Sequence, residues 1–137
     1  MPELEETAEA SFDTADELRE YARGKIEEAL EAAYGAQVEY MKAGAAYGLA
    51  GANYALGQIS ASDYGGTVEA FVKAAETWTK KRHWADAADT LFRNSTAGLL
   101  AVQTWRQLGQ IKEAERHVSG VIELLKLSMR FAEASLA

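Results

Sequence analysis

The chain has no cysteine, which excludes disulfides, thiolate metal sites and cysteine nucleophiles and leaves the sequence at ease in a reducing compartment. Its single proline is Pro2, so nothing after that position forces a helix to break. Strand-like alternation of apolar and polar residues is missing, whereas apolar spacings of three and four recur almost everywhere. No stretch reaches the roughly 20 strongly apolar residues of a membrane span, because the longest uncharged run, residues 43–54 and on toward 62, consists mainly of alanine and glycine. A basic segment followed by an apolar run is also lacking at the N-terminus, so a cytoplasmic location is expected. Phosphate loops, nucleophile elbows and paired metal-ligand motifs are not found, and neither catalysis nor a cofactor or metal is expected.

What is present is a helical chain with an uneven charge. Eight of its acids (Glu3, Glu5, Glu6, Glu9, Asp13, Asp16, Glu17, Glu20) fall in the first 20 residues beside Arg19 alone, while the rest of the chain holds 13 acids and 13 bases. A neutral body with an acidic end argues against nucleic-acid affinity. The reading is an acidic, frayed arm over residues 1–12 and a single helical domain over residues 13–137. A second role for the arm is docking on a basic patch, its own or a partner's.

The all-α chain divides into about five antiparallel helices. The first starts near Asp13 or Thr14, either able to cap backbone N–H groups, carries Leu18, Ala22, Ile26, Ala29 and Ala33 on one face, and breaks or kinks near Gly35. The second covers 36–57. Residues 57–66, "GQISASDYGG", read as a loop from their Gly, Ser and Asp content. The third starts near Thr67, with Val68, Phe71, Val72, Ala75 and Trp78 inward, and ends in the basic turn "KKRH" at 80–83. The fourth is one long helix, about 85–108, despite Ser95 and Thr96. After a turn at Gly109 and Gln110 the fifth runs over 111–134 with Ile111, Ala114, Val118, Val121, Leu125, Met129 and Ala132 as its stripe.

The second helix carries the first candidate site. Tyr40, Tyr47 and Tyr54 recur every seven residues, and Gly44 and Gly51 follow the first two by four. Each interior glycine costs a helix roughly 1 kcal/mol against alanine, so the stripe implies a neighbouring helix pressed into the notch, with tyrosines flanking the seam. Apolar residues on the other side (Val38, Met41, Leu49, Leu56) suggest a helix buried all round. The same stripe suits a tyrosine-lined groove for a ligand. A second candidate is Lys80, Lys81, Arg82 and His83, the one dense basic cluster, as an anion or acidic-partner contact beside Trp84. Trp78, Trp84 and Trp105 are expected in the core. His117, one turn after Glu113, is expected to make a surface contact and not to hold a metal.

Internal similarity adds a family resemblance. "GKIEEALEAAYGA" (24–36) matches "GQIKEAERHVSGV" (109–121), and "AAETWTKKRHWADAADTL" (74–91) aligns with "AVQTWRQLGQIKEAERHV" (101–118). At these residues the chain resembles the tetratricopeptide-repeat and SNAP-like helical-repeat families. That resemblance implies stacked helical hairpins and a non-enzymatic adaptor or scaffold that binds a peptide or helix of a protein partner. The spacings between Ile26, Tyr64, Trp84 and Ile111 are uneven, so a compact irregular helix bundle is the alternative. Two other functions stay open: a structural homo-oligomer formed through the Gly/Ala/Tyr-rich helix, and a small-ligand-binding bundle.

Overall fold

The computed structural model describes the backbone of residues 2–137 and the side chains of residues 12–137. Three helices account for it: α1 (Pro2–Ala55), α2 (Ala61–Gln107) and α3 (Ile111–Leu136), with no strand among the described residues. At 1.5 Å per residue they run about 80, 70 and 39 Å. Each pair of helices is in contact.

The expected five helices are therefore three, because neither proposed break occurs. Gly35 is exposed with nothing within 4 Å of a Cβ built on it, so it costs only its helix propensity, and α1 continues through it. Residues 80–83 lie in the middle of α2 and are not a turn. The first helix begins at Pro2, leaving Asp13 and Thr14 inside it; a proline is well suited to a helix start, where its missing N–H has no partner to lose. The acidic side chains of residues 1–11 lie outside the described residues, and with them the expectation of a frayed or docking arm.

Each turn holds a glycine just past the end of the preceding helix. Gly57 (φ 72°) and Gly109 (φ 77°) hold the left-handed conformation that side chains resist. At each, two backbone bonds close the preceding helix: Gln58 N–H to Asn53 O with Gly57 N–H to Tyr54 O, and Gln110 N–H to Trp105 O with Gly109 N–H to Arg106 O. The expected turn at Gly109 and Gln110 is present, whereas the loop expected over 57–66 ends at Ser60. Ser60 Oγ accepts the Asp63 N–H at 3.1 Å as an N-cap, and Asp63 sits in the first turn where the helix dipole favours a carboxylate. The helix so started includes Tyr64, Gly65 and Gly66.

A seven-residue repeat runs through all three helices. On α1 it reads Phe12, Arg19, Ile26, Ala33, Tyr40, Tyr47, Tyr54, with alanines three residues on from 15 to 50; on α2 it reads Tyr64, Phe71, Trp78, Ala85, Phe92, Leu99. A strict heptad keeps one face of a helix turned toward its partner along its full length. Where all three helices overlap they make a base with a dry core: Ala15, Ala22, Ala29, Ala85, Ala88, Ala114, Val118, Leu125 and Ala132 are fully enclosed. The stripe expected on α3 is the one found, with Ile111 and Met129 half-buried at its margin.

Small residues hold α3 close to α2. Ser128 Oγ–H donates to Ala88 O at 2.7 Å, and Ser135 Oγ–H donates to Lys81 O at 2.8 Å, so two serines seven apart reach two carbonyls seven apart on an antiparallel helix. Gly98 lies under Val121, where an added Cβ would come within 2.7 Å of Cγ2. Ser95 and Thr96, possible helix starters, instead return their hydroxyls to Phe92 O within a continuous α2. Thr96 Oγ1 also accepts from Arg19 Nε and Nη2 (3.3 and 3.2 Å), and the Arg19 guanidinium lies over Phe92, which accommodates a cation at a heptad position.

Candidate functional site

Past the level of Ser135 the base ends and α1 and α2 continue as a two-helix arm, residues 34–55 against 61–80, closed by the Gly57 turn. No residue from 34 to 84 is fully buried. This corrects the expectation of a helix buried all round: Met41, Leu49 and Leu56 are 63%, 67% and 71% exposed.

Aromatic stacking holds the arm. Tyr40, Tyr47 and Tyr54 interleave with Tyr64, Phe71 and Trp78 of α2, and ring centroids follow one another at 5.0 Å (Tyr54 and Tyr64), 6.0 Å (Tyr64 and Tyr47), 5.2 Å (Tyr47 and Phe71), 5.3 Å (Phe71 and Tyr40) and 5.0 Å (Tyr40 and Trp78). Interplanar angles between 8° and 26° make these stacked contacts, each worth about 0.5–1.5 kcal/mol beyond the area it buries. The side-chain hydrogen bond that Tyr64 shares with Tyr47 favours its protonated form and, followed by desolvation, holds the Tyr64 hydroxyl above its ordinary pKa.

Gly44 makes room for one of these rings, whereas at Gly51 a Cβ would meet its ring at ordinary contact distance. A Cβ at Gly44 would lie 3.1 Å from Phe71 Cε2, and one at Gly51 would lie 3.7 Å from Tyr64 Cε2. The notch expected at Gly44 and Gly51 is thus filled by the edge of an aromatic ring and not by a closely approaching backbone. Gly48 has nothing within 4 Å, so the glycines at 44 and 48 do not act as a pair. Of the partner rings, Phe71 and Trp78 are the expected inward residues, while Tyr64 falls in the expected loop; the seven-residue spacing of Tyr64, Phe71 and Trp78, which mirrors that of the tyrosines, is the signal that joins all three.

The basic cluster is dispersed by its helix. Lys81 Nζ donates to Ser135 O at 2.9 Å, closing the C-terminal turn of α3, where a cation is favoured. The Arg82 guanidinium lies over Trp78 (5.3 Å) and pairs with Asp86 at 3.6 Å. His83 meets Trp84 edge-on, and Lys80 is exposed. These four residues therefore do not converge on one anion.

The tryptophans lie at seams between helices, with Trp105 packed against the base core as expected and Trp78 and Trp84 outside it. Trp78 stacks on Tyr40, Trp84 packs against Phe131 at 5.2 Å, and Trp105 stacks on His117 at 6.0 Å, all three half-buried. Glu113 pairs with Arg116 at 3.2 Å, so it and His117 face different partners.

One side of the arm carries a groove of ≈ 400 Å³ between the helices, lined by Ala32, Gly35, Ala36 and Glu39 on one wall and Ala70, Lys73, Ala74, Thr77 and Lys81 on the other. Its position follows from the heptads. Lys81, Ala88, Ser95 and Val102 are the α2 positions turned to α3, and Thr67 and Ala74 precede Lys81 by the same steps of seven. On α1, Ala15, Ala22 and Ala29 lead to Ala36, Ala43 and Ala50. In the base these positions are enclosed; in the arm they are half-exposed. The groove is the seat of α3 prolonged past the end of α3.

No protein-family model matches the sequence, and neither a curated protein nor a solved structure matches it significantly. No helix among the described residues is long and apolar enough to cross a membrane.

Proposed function

We propose that this chain is a non-enzymatic protein-interaction module whose two-helix arm receives a helix from a protein partner. One observation carries the reading: the arm continues the α3 seat in the same heptad register, with small residues at Ala36 and Ala74 where the base has Ala29 and Ala88, and no segment among the described residues covers it. A surface shaped for a helix within the fold is shaped for a helix beyond it, docked by its apolar face as helix-in-groove recognition requires. The adaptor or scaffold role and the repeat-like helical hairpins implied by the tetratricopeptide and SNAP-like resemblance belong to this proposal, as does the cytoplasmic setting expected from the N-terminal sequence. The ligand-binding alternative is less well supported, because the tyrosine rings stack on one another instead of bordering a space.

The test is capture by the intact chain carrying a photo-crosslinking residue at Ala43. A protein cross-linked from position 43, and lost in the Ala36→Glu/Ala74→Glu double variant at unchanged helicity by circular dichroism, is the expected result. Capture that survives the double variant would refute the groove as the docking surface.

A further inference from the structure

We infer that the aromatic ladder of the arm is a path for one-electron oxidation, carrying an electron hole from Trp78 at the root of the arm to Tyr54 beside the Gly57 turn. The rings of Trp78, Tyr40, Phe71, Tyr47, Tyr64 and Tyr54 follow one another at centroid distances of 5.0–6.0 Å, and all but Phe71 are side chains that a strong one-electron oxidant converts to radicals. Phe71 is not oxidised; the electron crosses its ring between Tyr47 and Tyr40. Of the three tryptophans, Trp78 is the one stacked on a tyrosine, since Trp84 meets Phe131 and Trp105 meets His117. With no cysteine in the chain, no internal thiol competes for the hole.

Access and charge set the direction. A cavity of ≈ 450 Å³ opens beside Trp78, with Tyr34 and Arg82 on its walls, so a small diffusible radical, the class of oxidant the first step needs, reaches the indole. The Arg82 guanidinium lies 5.3 Å over that ring and disfavours a positive charge there. Between Lys42 and Lys73 the charged residues are Asp63 and Glu69, both negative, so positive charge is drawn toward the tip. The oxidant takes one electron from Trp78. Tyr40 returns it: its phenolic O–H bond breaks, the proton goes to water and a neutral tyrosyl radical remains. This step runs downhill because, at neutral pH, a tyrosyl radical is a weaker oxidant than a tryptophan radical. The radical passes to Tyr47 as Tyr40 takes back an electron and a proton. Between Tyr47 and Tyr64 the shared hydrogen bond carries electron and proton together, the Tyr64 O–H bond breaking as the Tyr47 O–H bond forms. Tyr64 is restored in turn by Tyr54, 45% exposed. There a diffusible reductant such as a thiol or ascorbate supplies one electron and one proton and ends the transfer.

The test is pulse radiolysis of the full-length Trp84→Phe/Trp105→Phe variant. Azidyl radicals, generated below the protein concentration, take one electron from the remaining indole and leave as azide. The tryptophan-radical band is expected to decay with first-order kinetics, at a rate independent of protein concentration, as the tyrosyl band grows. Tyr40→Phe, which keeps the ring and its stacking, is expected to abolish that first-order transfer. A nitroso spin trap, its adduct located by mass spectrometry, is expected to mark Tyr54, and in Tyr54→Phe to mark Tyr64 or Tyr47 instead. Should the double tryptophan variant lose helicity, the wild type is compared with Trp78→Phe, which is expected to lose the transferred fraction. Transfer that is second order in protein, that survives Tyr40→Phe or Trp78→Phe, or that ends on Tyr34, 67% exposed and on the wall of the same cavity, overturns the path.

Discussion

Substituting Gly98 and Gly120 by alanine should move stability in opposite directions. Both glycines lie inside helices of the three-helix base, Gly98 on α2 and Gly120 on α3. At Gly120 a new Cβ meets nothing within 4 Å, so only helix propensity acts, and alanine should add about 0.5–1 kcal/mol. At Gly98 the same methyl arrives 2.7 Å from Val121 Cγ2. Val121 is buried to 3% exposure, and a β-branched side chain in a helix has one strongly preferred rotamer, so it has little room to turn aside. Overpacking of this kind costs about 1–3 kcal/mol, which outweighs the propensity gain and leaves a net loss of about 1 kcal/mol. Thermal melts followed at 222 nm, with Tm shifts of about 3–5 °C per kcal/mol for a domain of this size, should place Gly120→Ala above wild type and Gly98→Ala below it. Equal stabilisation by both would mean that α2 and α3 do not approach as closely as described.

Three further perturbations probe other contacts. Ser128→Ala removes the buried hydroxyl donated to Ala88 O and should cost about 1 kcal/mol in guanidinium titrations; an unchanged midpoint would deny that bond a role. Phe71→Ala empties the middle of the aromatic ladder between Tyr40 and Tyr47, so hydrogen exchange should rise across residues 40–78 with the base unaffected, and equal acceleration in the base would contradict an arm held by its own stacking. Tyr64, whose pKa is raised in the folded chain, contributes stability that is present below the ordinary tyrosine pKa of about 10 and lost as pH rises through the higher folded value. Tyrosinate absorbance should show one late-titrating ring that disappears in Tyr64→Phe, and a late ring that persists in that variant would place the perturbation elsewhere.

Much of the fold was legible because apolar spacing reports directly on which face is buried. The α3 stripe from Ala114 to Ala132, the turn at Gly109 and the continuity of α2 through Ser95 all follow from it. Helix number was not legible, since a glycine such as Gly35 withdraws only about 1 kcal/mol and heptad contacts on both sides override it. Tyr40, Tyr47 and Tyr54 stack on rings of α2, and the presence of Tyr64 among those partner rings is hidden in the sequence by the turn-like composition of 57–66. There Ser60 and Asp63 start a helix early and so bring Tyr64 into the ladder. Lys80, Lys81, Arg82 and His83 looked like one patch because adjacent cations in a sequence share a turn; on a helix they point about 100° apart, and each finds different surroundings.

Everything said of the arm depends on α1 passing straight through Gly35, so that one heptad register links the enclosed alanines of the base to the half-exposed ones of the groove. Spin labels at Arg23 and Ala52, both exposed, stand 29 residues apart on either side of Gly35. A pulsed dipolar measurement should return one narrow distribution near 44 Å, the length of that many residues of unbroken helix at about 1.5 Å each. A broad distribution, or a markedly shorter distance, would show a hinge at Gly35 and contradict the account.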